Sequence, residues 1–268
     1  MKKIVLLVCA VCICSSLSAQ ILDVDLHPDF YEPVFKLSWI TDPIIIAAGI
    51  GLNISGYLLQ KDAPAWDGVI RDTSEINGFD RLLVFPYSEG LDIAGTALLA
   101  LSLELPIIGL LAPKEEWLTF FVMYAESVLF AQGLKETMKS MVVRYRPYMY
   151  KSNPSENDID ADDHIRSFPS GHTTLAFTGA VFASYTFWSY FPESKWRIPV
   201  LAGSMTLATS VAVLRIFSGN HFLTDVLTGA AIGALSGFGI PFLHKLNARF
   251  SRLEFTATAG GAAVTYRY

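Results

Sequence analysis

Eight residues in three stretches of the chain have the types and spacing that binding a tetrahedral oxyanion calls for. Lys139 is followed seven residues later by Arg146-Pro147. Pro169-Ser170-Gly171-His172 form the second stretch. Arg215 opens the third, ahead of His221 and Asp225. Arginine offers a planar fork of donors and lysine a compact positive charge, both suited to phosphate-like oxygens. If a helix opens near Ser170, the amides of Ser170 and Gly171 add donors where the helix dipole favours negative charge. Gly171 also lets the backbone come close, because it carries no Cβ. On a continuous helix, a separation of seven sets Lys139 and Arg146 nearly on one face, two turns apart. His221 and Asp225, four apart, can meet on one face once a helix has begun.

These stretches act together only if the chain folds them to one place, and its apolar pattern supplies the means. Six segments, near 43–59, 93–111, 117–134, 173–191, 198–214 and 226–243, are long and apolar enough to cross the bilayer core. That core is roughly 30 Å thick and takes about 17–25 helical residues to span. The expected fold is therefore all-α, a multi-span transmembrane bundle of about six helices. Because successive spans alternate in direction, the end of the third segment, the start of the fourth, the end of the fifth and the start of the sixth share one side. The three cations, two histidines, the carboxylate and the Ser-Gly helix start all lie at those ends. The first segment is the weakest, interrupted by Gly49, Gly51, Asn53 and Gly56, and also fits a buried or re-entrant helix. Only Glu104 and Glu126 place charge inside the six segments. A carboxylate at that depth is costly and normally faces the bundle interior, in a functional role or hydrogen-bonded to a neighbouring helix.

Composition agrees with a membrane protein and excludes several other classes. The 268 residues are 52% hydrophobic and 17% charged, with a mean hydropathy of +0.40. A disordered chain is excluded, as is a small module held by disulfides. The net charge of −5 argues against a nucleic-acid partner. Cys9, Cys12 and Cys14 all lie in an N-terminal stretch with a basic start, an apolar run and a small-residue exit, the parts of a signal peptide covering 1–19. Cleavage after Ala19 would leave no cysteine for disulfides, nucleophilic thiolates or metal sites. Residues 20–42 then read as an N-terminal extension, 43–245 as the membrane-embedded domain and 246–268 as a tail. Within the tail, two short β-prone runs flank Gly260-Gly261. Asp158, Asp160 and Asp162 alternate as a calcium loop begins, but Asp163 stands where such a loop needs glycine. His27, His164 and His244 have no partner at ligand spacing, so surface or interfacial roles are expected. No Gly-x-Ser-x-Gly element makes Ser170 a hydrolase nucleophile.

Taken together, Lys-x6-Arg-Pro, Pro-Ser-Gly-His and Arg-x5-His-x3-Asp, in that order on same-side helix ends, resemble the type-2 phosphatidic acid phosphatase and vanadium haloperoxidase superfamily. The resemblance covers roughly residues 40 to 245. One departure is Leu214, where the third motif often has serine; it removes no charged or catalytic group. The resemblance implies that His221 is the nucleophile and that Asp225 sets its tautomer. It implies that His172 protonates the leaving group and then activates water, and that Lys139, Arg146, Ser170, Gly171 and Arg215 bind phosphate. No metal or other cofactor is implied.

The substrate so implied is a lipid phosphate monoester or diphosphate: phosphatidate, phosphatidylglycerol phosphate, a polyprenyl diphosphate or a lipid A phosphate. Vanadium-dependent haloperoxidase is a competing reading, weakened by the apolar helices because those enzymes are soluble. A non-catalytic lipid-binding or transport protein of the same fold is another, weakened by the intact His172, His221 and Asp225. Counting six spans from an external Gln20 puts the catalytic face in the cytoplasm, and counting five puts it outside. Resemblance to bacterial envelope phosphatases favours the periplasmic side.

Overall fold

The computed structural model describes residues 32–60, 66, 69–151 and 163–251, together with the backbone of 253–258 and 261–266. The signal-peptide stretch, His27, most of the N-terminal extension and Asp158, Asp160 and Asp162 lie outside the described residues. The helical unit begins at Val34.

Each expected apolar segment is helical. The helices are α1 (Thr41–Leu58), α2 (Glu89–Glu104), α3 (Trp117–Met141), α4 (Gly171–Tyr190), α5 (Arg197–Phe217) and α6 (Leu223–Phe250). The β-prone tail forms an antiparallel hairpin, β1 (Leu253–Thr258) with β2 (Gly261–Tyr266), in which Phe255 stands opposite Val264. The second segment does not stay α-helical throughout. It tightens into a 3₁₀ stretch over Leu105–Leu111, where Pro106 cannot donate into the α-helical ladder.

Four stretches, Glu89–Leu111, Lys114–Met141, Arg197–Phe217 and Leu223–Phe250, are long and apolar enough to cross a membrane. Helices α1 and α4 are not among them. For α4 the reason is its place in the bundle: it packs along α6 and also against α2, α3 and α5. Surrounded in this way, it carries buried Thr174, Thr178, Ser184 and Thr186. Their hydroxyls donate to carbonyls one turn back at 2.7–2.8 Å, so the polar groups are satisfied within the helix. Hydropathy falls while burial rises.

Close approach of α6 to α4 sets the position of the site. Gly229, Gly233 and Gly237 recur every fourth residue on α6 and face the α4 backbone. A Cβ at these positions would lie 2.6, 2.2 and 2.5 Å from the carbonyl oxygens of Ser170, Thr174 and Thr178. Larger side chains would therefore separate the two helix starts that carry Ser170 and Asp225. At the other end, buried Glu116 accepts the amides of Val34 and Phe35 at 2.7 and 3.2 Å and the Tyr190 hydroxyl at 2.9 Å. Phe35 thereby joins Phe120, Met123 and Phe182 in a core cluster. Around the outside, Ile44, Ile93, Leu118, Ile198, Leu227 and Leu235 remain exposed, an apolar surface suited to lipid.

Candidate active site

The three motif stretches converge at one end of the bundle, by a route that differs from simple helix periodicity. Lys139 lies in the last turn of α3, but the helix ends at Met141 and Arg146 is not on it. Residues 142–146 run extended instead, as the β-branched pair Val142-Val143 favours, and Arg144 pairs with Arg166 in a short parallel bridge. Lys139 and Arg146 meet through Asp163. Its carboxylate is 3.9 Å from Lys139 Nζ and forms an ion pair with the Arg146 guanidinium.

From Arg146 a polar chain continues to the third cation. Arg146 Nη1 donates to Asn220 Oδ1 at 2.9 Å, and Asn220 Nδ2 donates to Asp92 Oδ1 at 3.1 Å. That same carboxylate oxygen lies 2.6 Å from Arg215 Nη1, while Arg215 Nη2 donates to the Asp92 carbonyl at 2.7 Å. Arg215 is buried in the last turn of α5, and its guanidinium fits because residue 95 is glycine: a Cβ there would lie 2.7 Å from Nη2. Lys139, Arg146 and Arg215 thus form one connected set around Asp163, Asn220 and Asp92.

His221 sits beside this set, in the turn just before α6, and is buried. Burial, followed by the positive charges of Arg146, Lys139 and Arg215, holds its pKa well below the usual histidine value. The imidazole is therefore neutral at physiological pH, the form that can act as a nucleophile. His221 Nδ1 lies 2.7 Å from the Ser167 carbonyl oxygen, which can only accept, so Nδ1 carries the proton and Nε2 the lone pair. Asp225 does not make this contact, because its Oδ2 is 3.8 Å from Nδ1. It acts one step away, accepting from the Ser167 hydroxyl at 2.6 Å and from the Phe222 amide at 2.8 Å. The reason is local: α6 starts only at Leu223, so the two residues do not share a helical turn.

At the α4 start, Ser170 occupies the N-cap and is fully buried. Its amide is already used, donating to the Asp225 carbonyl at 3.0 Å, so it does not serve as a free oxyanion donor. Its hydroxyl pairs with Thr173 Oγ1 at 2.9 Å. Gly171 lies against a further cation, Lys135: a Cβ on the glycine would be 3.3 Å from Lys135 Nζ. His172 Nε2 lies 3.1 Å from Thr96 Oγ1.

Several residues of the site leave no mark in the sequence pattern. Arg144 pairs with both Asp225 and Asp80 and donates to Thr224 Oγ1 at 2.8 Å. Fully buried Asp80, from the 3₁₀ turn Asp80–Leu83, accepts the Thr224 amide at 2.9 Å and so caps the α6 start. These hydrogen bonds hold its carboxyl below the usual aspartate range even though burial pushes the other way. Ser167, Asp92, Asp163, Asn220 and Lys135 were equally silent, since each is recognisable only by what it touches.

Comparison with known proteins bears on this arrangement. The model of the PAP2 superfamily matches residues 120–249. The chain is 27% identical over 152 residues to the bacitracin transport permease protein of Bacillus licheniformis, covering 52% of this chain and 69% of that protein. It is 28% identical over 165 residues to phosphatidylglycerophosphatase B of Bacillus subtilis, covering 58% and 74%. The crystal structure of a transmembrane PAP2-type phosphatidylglycerolphosphate phosphatase from Bacillus subtilis aligns over 77% of this chain and 98% of that one, with a TM-score of 0.47 at 22% identity. Residues 120–249, the stretch that matches the PAP2 superfamily, hold all three motif stretches and nearly all of the helices α3–α6 that bring them together.

Proposed function

We propose that this protein is a PAP2-type phosphatase that hydrolyses a phosphate monoester or diphosphate of a membrane lipid through a phosphohistidine on His221, with no metal ion taking part in the reaction. The observation that carries this reading is the connected set of Lys139, Arg146 and Arg215 beside a neutral, buried His221. Three fixed cations can offset the charge on the phosphoryl oxygens, the usual task of a metal in phosphoryl transfer. Asp92 and Asp163 occupy the two guanidinium groups when no substrate is bound, and phosphate oxygens would take over those donors.

In the first step His221 Nε2 attacks phosphorus in line and the P–O bond to the lipid breaks. His172, whose pKa burial and Arg215 hold low, takes up a proton as the anionic phosphate offsets the cations and gives it to the leaving oxygen. In the second, His172 takes a proton from water as the water attacks phosphorus, the P–N bond breaks and inorganic phosphate leaves. The Ser167 carbonyl holds the His221 tautomer, and Asp225 holds Ser167. A site at the end of the spanning helices lets a headgroup reach these residues while its acyl chains stay in the hydrocarbon. The substrate class comprises phosphatidate, phosphatidylglycerol phosphate, polyprenyl diphosphates and lipid A phosphates.

The test is phosphate release by detergent-purified protein from a panel of these lipids and p-nitrophenyl phosphate. Turnover blocked by vanadate, with at least one lipid preferred over p-nitrophenyl phosphate, is the expected result. Silence on every substrate from folded protein would sink the reading. The catalytic face is assigned to the periplasmic side. A Ser155→Cys variant should then react with an impermeant thiol reagent in intact cells, whereas labelling only after lysis would place that face in the cytoplasm.

A further inference from the structure

A second cluster of ionisable side chains lies inside the bundle, well away from the phosphate cradle. Asp42 from the first turn of α1, Glu126 from the middle of α3 and His244 from the last part of α6 bring their ligand atoms within 4.8 Å of one another. On α3, Glu126 precedes Lys139 by thirteen residues, which at 1.5 Å per residue is about 20 Å. On α6, His244 lies nineteen residues beyond Asp225, about 28 Å along the helix. The sequence gives His244 no partner at ligand spacing, and its expected surface or interfacial place is not what the fold provides. His244 is fully buried and Glu126 nearly so, at 2% exposure.

The hydrogen bonding of the cluster is incomplete in a particular way. His244 Nδ1 lies 2.9 Å from the Ile240 carbonyl, which can only accept, so Nδ1 carries a proton and Nε2 is the ring nitrogen that faces the carboxylates. Asp42 Oδ2 accepts the Ser38 amide at 3.0 Å. What remains is His244 Nε2, Asp42 Oδ1 and both carboxylate oxygens of Glu126. None has a hydrogen-bond partner of normal geometry among the described residues. No lysine or arginine of the described residues pairs with either carboxylate. Two carboxylates buried this close together would be strongly unfavourable without a positive charge between them, a metal ion or a proton.

We infer that Asp42, Glu126 and His244 form a divalent-cation site of the zinc type, tying α1, α3 and α6 together away from the catalytic end. Nε2 is 3.1 Å from Asp42 Oδ1 and 3.3 Å from Glu126 Oε2. Ligands about 2.0–2.1 Å from a tetrahedral zinc ion are about 3.3–3.4 Å apart, so the two edges to Nε2 need little adjustment, the edge between the carboxylates lies within 4.8 Å, and a water would take the fourth position. The outer contacts are also of the expected kind: the second imidazole nitrogen is fixed by a backbone carbonyl and one carboxylate by a backbone amide. Two carboxylates cancel the charge of the ion, which suits a buried place. The role is structural, since the cluster is remote from His221, and the inference does not depend on which lipid is hydrolysed.

The experiment uses the full chain purified in detergent, stripped with EDTA and then given Zn²⁺. Zinc is measured per chain after gel filtration, and the thermal midpoint is followed with and without the metal. About one zinc per chain is expected, with a midpoint several degrees higher than in the stripped protein. Glu126→Gln and His244→Gln should each bind zinc at least about tenfold more weakly and lose the thermal shift. Wild-type protein that retains no zinc and gains no stability from it overturns the inference, even if neither variant folds. So does equal zinc retention by the wild type and both variants, which would mean binding elsewhere on the surface. A rise in midpoint for Glu126→Gln in EDTA, with no zinc bound by the wild type, would show that a proton bridges the cluster instead.

Discussion

A His221→Ala protein is expected to release phosphate at least about 10⁴-fold more slowly than the wild type while keeping its helical fold. The magnitude follows from losing the nucleophile of a group that acts as a unit, where single deletions remove most of the catalysis. The fold should survive, because the ring makes one hydrogen bond, to the Ser167 carbonyl, and Ser167 is held independently by Asp225. Phosphate release, thermal midpoint and acid-labile ³²P on the protein are the measurements. Wild-type protein quenched during turnover should carry the label and His221→Ala should not. His172→Ala with p-nitrophenyl phosphate should accumulate it, since that leaving group needs no proton but the second step still needs a base. Labelled protein persisting in His221→Ala would move the nucleophile to another residue and undo the assignment.

The second large effect belongs to a residue outside the three motifs. Arg144→Ala is expected to destabilise the protein by roughly 3–5 kcal/mol, the range for removing one partner of a buried ion pair. Arg144 is partnered at once with Asp80 and Asp225, and both carboxylates are fully buried. Its guanidinium also lies 4.3 Å from the centre of the Phe222 ring, adding a cation–π contact. Removing it leaves two negative charges facing each other at the α6 start. Unfolding in detergent reads the loss, and a double-mutant cycle identifies its cause. Adding Asp80→Asn to Arg144→Ala should recover part of the stability, because one of the two stranded charges is gone. An Arg144→Ala protein as stable as the wild type, or no recovery in the double variant, would show that the pair contributes little. Activity should fall together with stability, because Asp225 positions Ser167 and Ser167 positions His221.

The sequence by itself determined the helical, membrane-embedded class, the places of the helices and the order of three polar stretches at same-side helix ends. Both kinds of signal are local. A run of apolar side chains must be buried or face lipid wherever it ends up, and Pro-Ser-Gly-His is readable without knowing its neighbours. Alternation of direction then brings Lys139, Arg146, His172, Arg215 and His221 to one end by geometry alone.

What the tertiary structure decided is who touches whom. Spacing of four suggested that Asp225 would hold His221, yet α6 begins after His221 and a backbone carbonyl from residue 167 takes that place. Spacing of seven suggested one helix face for Lys139 and Arg146, yet α3 stops between them and Asp163 joins them instead. The polar face of α4 lowered its hydropathy, and only packing on several neighbours showed why hydroxyls are tolerated there. Asp42, Glu126 and His244 lie 84 and 118 residues apart along the chain. No periodicity links such distant positions; they meet because close packing of α1, α3 and α6 fixes three helices relative to one another, and that depends on the whole set of side chains between them.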